Sequence, residues 1–193
     1  MSADVLAVEP ASAPRRRLAP AILIVAVLAV TVFGGYVVAA ALSEPIGRPL
    51  DVGGVVRVPA LSGWEFAGRS STGGIPAGRL TRGSGNLDVL AARWSGSAAD
   101  LAGAYAARVL GPGALRLSTS QELRPVSVAG GLAGVRFSYV GVFDRGGTPI
   151  EGEVTAAVSA NGAGVLFDAW SPEGLLQYVR GDVEAMEDRA VLA

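Results

Sequence analysis

The chain has 193 residues, room for one ordinary domain, with 27 Gly, 11 Pro and a formal net charge of −1. It holds no Cys, no His and no Lys, so all 16 basic residues are Arg. These absences exclude disulfides, thiolate nucleophiles, Cys or His metal sites, Ser-His-Asp triads, Schiff-base lysines and the P-loop lysine. The near-neutral balance also argues against a nucleic-acid partner, which requires a clustered basic face.

Residues 1–17 carry too little apolar content to fold and read as a disordered tail. From Leu18 to Ser43 no residue is charged, and Ala21–Phe33 is almost wholly apolar. A helix needs roughly 20 apolar residues to cross a hydrocarbon core of about 30 Å, so residues 18–42 are expected to span a lipid bilayer. Arg15, Arg16 and Arg17 precede the span directly, which predicts a cytoplasmic N-terminus and an extracytoplasmic C-terminal domain, in a plasma or inner membrane. Ala39-Ala-Ala41 offers a signal-peptidase-like site, but the apolar run is longer than the roughly 7–15 residues of a signal h-region, so an uncleaved signal anchor is favoured. A lipid anchor would need a Cys. Residues 43–51, with Pro45 and Pro49, suit an extended linker.

The folded module is expected over residues 52–193. Val52–Pro59 and Trp64–Ser71 read as strands, followed by a hairpin of Gly78–Thr81 and Leu87–Trp94 around Arg82-Gly-Ser-Gly-Asn86. The connection Gly68–Gly78 reads as a long flexible loop of the kind that carries function. Ser97 and Asp100 form a helix-start signal; Leu101, Tyr105 and Val109 mark one apolar face, and Gly111-Pro112 ends the helix. Strands follow at Ala114–Thr119, Glu122–Val128 and Leu132–Phe143, where Val135, Phe137 and Tyr139 alternate with Arg136 and Ser138. Asp144 begins a tight return. Ile150–Ala160 and Val165–Trp170 flank Asn161-Gly162, expected as a type I′ turn. A final helix is expected from Ser171 as N-cap and Pro172 at its first position, with Leu175, Val179, Val183 and Met186 as its apolar stripe. The order predicts an α+β fold: a single transmembrane helix, then a mainly antiparallel sheet flanked by two helices.

The element Val58-Pro-Ala-Leu-Ser-Gly-Trp64, the strand Gly131-Leu-Ala-Gly-Val-Arg-Phe-Ser-Tyr139, the ending Ala169-Trp-Ser-Pro172 and the amphipathic last helix together resemble the Mog1/PsbP-like α/β/α sandwich. The resemblance covers about residues 52–192 and implies an exported, membrane-anchored protein of actinobacterial type. It implies no shared activity. Some photosystem members bind metal through His, and this chain has none, so no site is transferred.

No catalytic residue, cofactor or metal follows from the sequence. Glu151 and Glu153 project to one face of a strand with Cα atoms about 6.6–7 Å apart, a carboxylate pair or the solvated side of a half-buried strand. Arg180-Gly-Asp182 spells an adhesion tripeptide, but it falls inside the last helix, where both charges are expected to face water. Trp64, Trp94 and Trp170 are core anchors or, with Glu151 and Glu153, a candidate binding surface. The expectation is a non-enzymatic, membrane-anchored envelope module with a protein partner. A carboxylate-dependent hydrolase and a passive assembly factor are the alternatives.

Overall fold

The computed structural model describes residues 48–193, apart from 73, 121 and 144–146. The expected tail, the 18–42 span, Arg15–Arg17 and Asp144 lie outside the described residues. Among the described residues, no helix is long and apolar enough to cross a membrane.

Among the described residues, eleven strands, β1 to β11 in chain order, two helices and three short helical turns make up the domain. The large sheet is antiparallel throughout. It runs β3 (Glu65–Thr72), β4 (Ile75–Arg82), β5 (Gly85–Arg93), β10 (Ala163–Pro172), β9 (Pro149–Val158), β8 (Leu132–Val142), with β6 (Arg116–Thr119) and β7 (Arg124–Val128) both pairing β8. A small sheet joins β1 (Leu50–Val52), β2 (Val56–Val58) and β11 (Val191–Leu192). Because side chains alternate along a strand, each central strand serves two cores. Leu87, Val89, Val165, Phe167 and Ala169 cluster with the small sheet and with Val179, Val183 and Met186 of the last helix. Leu90, Val154, Ala156, Phe137 and Leu166 point the other way, toward Leu101, Ala102 and Tyr105 of the first helix. The result is the expected antiparallel sheet with a helix on each face.

Helix α1 (Ala98–Tyr105) starts as expected. Ser97 Oγ accepts the Asp100 N–H at 3.1 Å, and the Asp100 carboxylate accepts the Ser97 N–H at 2.9 Å, a reciprocal capping box. Gly111-Pro112 does not end the helix at once. A π turn over Ala106–Leu110 and a last α turn over Gly111–Gly113 follow, with Pro112 at the start of that turn where its missing N–H does no harm.

Five other local expectations are corrected. Val52–Pro59 is a hairpin, β1 and β2, turning at Gly53 and Gly54, both at positive φ (62° and 68°). The sheet also begins at Leu50, inside the expected linker. The Gly68–Gly78 segment is no loop: β3 and β4 pair from Glu65↔Thr81 to Thr72↔Ile75, with a register shift between Phe66 and Gly68. Asn161-Gly162 makes a three-residue connection in which only Gly162 has positive φ (79°), and the Gly162 N–H donates to the Ser159 carbonyl. The last helix, α2, spans Arg180–Asp188 and not residues from 171. Ser171 and Pro172 stay in β10 because β9 still offers partners, Glu151 and Ile150. The chain turns at Gly174 and makes a 3₁₀ turn at Leu176–Tyr178, whose Leu176 N–H is capped by Glu151 Oε1 at 2.8 Å. Val179, Val183 and Met186 are buried as expected, but Leu175 is exposed and Leu176 takes its place inside.

Ion pairs hold α2 to the sheet. Arg136 of β8 reaches Thr155 Oγ1 (2.8 Å), Glu184 (2.8 Å) and the buried Glu187. Arg180 and Asp182 do not simply face water. Arg180 pairs with Glu153 at 3.0 Å, and Asp182 accepts from Arg82 and from Trp64 Nε1 (3.0 Å).

Candidate functional site

One row of paired residues crosses the large sheet on its α1 face: Arg79 on β4, Asp88 on β5, Asp168 on β10, Val154 on β9 and Phe137 on β8. Strand pairing alone therefore sets one guanidinium and two carboxylates side by side. Arg79 donates to Asp88 in a two-pronged pair, Nε to Oδ1 at 2.6 Å and Nη2 to Oδ2 at 2.8 Å. Trp170, two residues beyond Asp168 on the same face, donates its indole N–H to Asp88 Oδ2 at 2.9 Å. The Arg79 guanidinium lies over the Trp170 ring, 5.2 Å from its centroid.

Asp168 sits deeper, at 3% exposure. Tyr105 from α1 donates to its Oδ2 at 2.6 Å, and Tyr139 from β8 donates to its Oδ1 at 2.8 Å. Hydrogen bonds to a charged group contribute about 1.5–3 kcal/mol each, against a buried carboxylate's desolvation of several kcal/mol. Burial wins: it pushes the Asp168 carboxyl up to about 7, while the two phenols and Arg79 pull the other way. Burial and the neighbouring Asp168 charge raise both tyrosines. The Tyr139 ring reaches Asp168 by crossing β9 at Gly152, its register partner, where a Cβ would collide with the ring.

These residues line a cavity of about 550 Å³. Its roof is the end of α1 and the π turn (Tyr105, Val109, Leu110), its base Asp168 and Ile150, and its rim Phe143 and Thr148. The walls are largely aromatic and aliphatic, as small-molecule sites are.

The candidate residues read from the sequence are not brought together. Trp170 forms the cavity wall. Trp64 is buried in the opposite core, its N–H on Asp182. Trp94 is half-buried beside the start of α1, its N–H donating to the Ser97 carbonyl at 3.2 Å. Glu151 and Glu153 share one face as expected, but it is the face away from the cavity, where they line a shallower depression of about 290 Å³ with Ser138 and Arg180. Each is engaged, Glu151 as the cap of Leu176 and Glu153 with Arg180. Arg79, Asp88, Asp168, Tyr105 and Tyr139 carry the site, and none was singled out for it. A signal existed: Asp88 and Asp168 each interrupt apolar strand runs, Leu87-Asp-Val-Leu90 and Leu166-Phe-Asp-Ala169, and an acid in such a run must have a buried partner. Among the described residues no acid cluster is suited to a metal ion.

The arrangement is the α+β domain expected from the order of strands and helices, and comparison with known proteins bears on the Mog1/PsbP-like fold that the sequence resemblance implies. No protein-family model and no curated protein matches the sequence. Among solved structures, the solution structure of the PsbP protein CyanoP from Synechocystis sp. PCC 6803 superposes with a TM-score of 0.52 at 12% identity, over 78% of this chain and 96% of that one. LpqN, a protein involved in cell envelope biogenesis of Mycobacterium tuberculosis, superposes with a TM-score of 0.49 at 9% identity, over 77% of this chain and 86% of that one. At such identity the likeness to CyanoP establishes the fold and leaves the function to the site.

Proposed function

We propose that the chain is a non-enzymatic binding or accessory module of the bacterial cell envelope, anchored by residues 18–42 with its folded domain outside the membrane. The observation that supports this most is the chemistry of the cavity. Arg79, Asp88, Asp168, Trp170 and the two tyrosines are hydrogen-bonded to one another, and among the described residues no activated nucleophile stands opposite a base in it. Glu151 and Glu153, the pair a hydrolase would need, hold backbone and an arginine instead of converging on a cleft. A cavity with fixed polar groups and no reactive set suits recognition.

The test uses the full chain in its native membrane, with a photo-crosslinking residue at Thr148 on the cavity rim and protease added to intact cells. Expected outcomes are a discrete adduct and digestion of the domain from outside. Hydrolysis of an envelope polymer by the wild-type chain, lost in both Glu151→Gln and Glu153→Gln, would overturn the reading. A domain digested only after the membrane is opened would overturn the orientation.

A further inference from the structure

The donors and acceptors around the cavity are unequally available. The Tyr105 and Tyr139 hydroxyl protons and the Trp170 N–H are directed onto Asp168 and Asp88. Arg79 turns Nε and Nη2 toward Asp88 and lays its plane on Trp170. What remains at the base of the cavity, around Asp168, is acceptor capacity; the Arg79 Nη1 group and the Thr72 and Thr148 hydroxyls are donors elsewhere in the lining. A carboxylate oxygen accepts about two bonds and a phenolic oxygen keeps lone pairs after donating; each Asp168 oxygen has a single phenol on it. The charge is unequal as well. Arg79 neutralises Asp88, and Asp168 has no ion-pair partner among the described residues. Apart from the two threonines, the rest of the lining is apolar or aromatic, with Val109, Leu110, Phe143, Ile150 and the faces of both tyrosines.

From this inventory we infer that the cavity binds an organic ammonium ion, an apolar or aromatic body bearing a protonated amine that points at Asp168 between Tyr105 and Tyr139. The inference rests on the reading of the domain as a binding module and names the ligand class of its site. An ammonium group supplies the three donors and the positive charge that the base of the cavity lacks, and the aromatic walls favour a cation beside them. A neutral alcohol brings a single donor and no charge. An anion meets two carboxylates for one guanidinium.

Protons compete with such a ligand, because burial raises the Asp168 carboxyl to about 7. The charged and titratable groups facing it are Tyr105 from α1, Tyr139 from β8, Asp88 from β5 and Arg79 from β4. The phenols titrate far above this range, and Arg79 stays protonated. Asp168 therefore sets the profile. Affinity is greatest above neutral pH and falls by about tenfold or more between pH 7 and pH 5 as the carboxylate is protonated.

The experiment is calorimetric titration of the full-length chain in detergent with phenylbutylamine, phenylbutanol and phenylbutyrate, with Trp fluorescence as a second readout. The amine should bind at least about tenfold tighter than the alcohol, and the acid weakest. Asp168→Asn, if its circular dichroism matches wild type, should remove the amine's advantage and its pH dependence. Val109→Trp leaves the carboxylate network intact and fills the cavity roof; it should abolish binding of all three. The inference is overturned if alcohol or acid binds as tightly as the amine, or if Val109→Trp leaves amine binding unchanged. A chain that binds no amine yet gives the Thr148 adduct in its membrane overturns the ligand class alone and leaves the binding-module reading standing.

Discussion

The same strands of the large sheet present Phe167, Val165 and Leu87 on one face and Asp168, Leu166 and Asp88 on the other, and the two faces are covered in opposite ways. The first is sealed by three short strands and α2, which are fixed by Arg136 to Glu184 and Glu187 and by Asp182 to Arg82 and Trp64. The second is covered by α1, which runs into a π turn and leaves about 550 Å³ open above the buried Asp168 and the half-buried Asp88. A close-packed face resists any loss of volume, whereas a face with a cavity tolerates it and keeps room for a guest. The contrast places the close-packed core on one side of a single sheet and the proposed recognition cavity on the other.

A pair of matched truncations tests this contrast most severely. Phe167→Ala, at a fully buried position on the sealed face, should cost about 3–5 kcal/mol in urea denaturation. Phe143→Ala, whose ring borders the cavity and meets Tyr139 edge-on, should cost only about 1 kcal/mol. Equal losses would break the distinction. Next in size, Arg136→Ala leaves Glu187 buried without its cation and should cost about 3 kcal/mol, less at acidic pH where Glu187 takes up a proton.

The pH dependence of stability follows from both faces together. Burial raises Asp168 and Glu187 to about 7 in the folded chain, above their ordinary carboxyl values of 3.8 and 4.5. The folded state then holds more protons than the unfolded one between about pH 4.5 and 7, so unfolding free energy falls as pH rises through that window. Denaturation midpoints should therefore be higher at pH 5.5 than at pH 8, by about 1 kcal/mol or more. Asp168→Asn and Glu187→Gln should each flatten the slope, the first without touching the sealed face. The smallest effect is expected at Ala129, the non-glycine residue with positive φ (49°) in the turn between β7 and β8. That turn donates the Ala129 and Gly130 N–H groups to the Glu187 and Asp188 carbonyls at the end of α2. Ala129→Gly relieves the left-handed strain, partly offset by unfolded-chain entropy, and should stabilise by about 0.5 kcal/mol.

Much of this architecture was legible in alternation and capping. Val135, Phe137 and Tyr139 against Arg136 and Ser138 set the two faces of β8, and Ser97 with Asp100 placed the start of α1. The last helix was misread because Ser171-Pro172 is a good local start signal. Nothing local shows that β9 would keep both residues paired, or that Glu151, 25 residues away from Leu176, would supply the cap. The site was less legible for the same reason. Asp88 and Asp168 lie 80 positions apart, and only their pairing in register turns two isolated acids into one cluster with Arg79. Glu151 and Glu153 are two residues apart and therefore share a face, but only the register with β10 shows that this face is the one away from the cavity.

The hairpin of β1 and β2 also sets how the domain meets mechanical load. The chain enters at Leu50, which pairs with Val58 at the open end of that hairpin, and the Leu50 side chain lies directly over Gly78 of β4. Tension drawn through residue 48 and directed across the hairpin would reach β1 at this open end and part its hydrogen bonds in succession, as a zipper opens. Leu50 would leave Gly78 first, while β2 kept its second neighbour, β11. The first load on the entrance would thus fall on a three-residue strand pairing and on one leucine seated on β4.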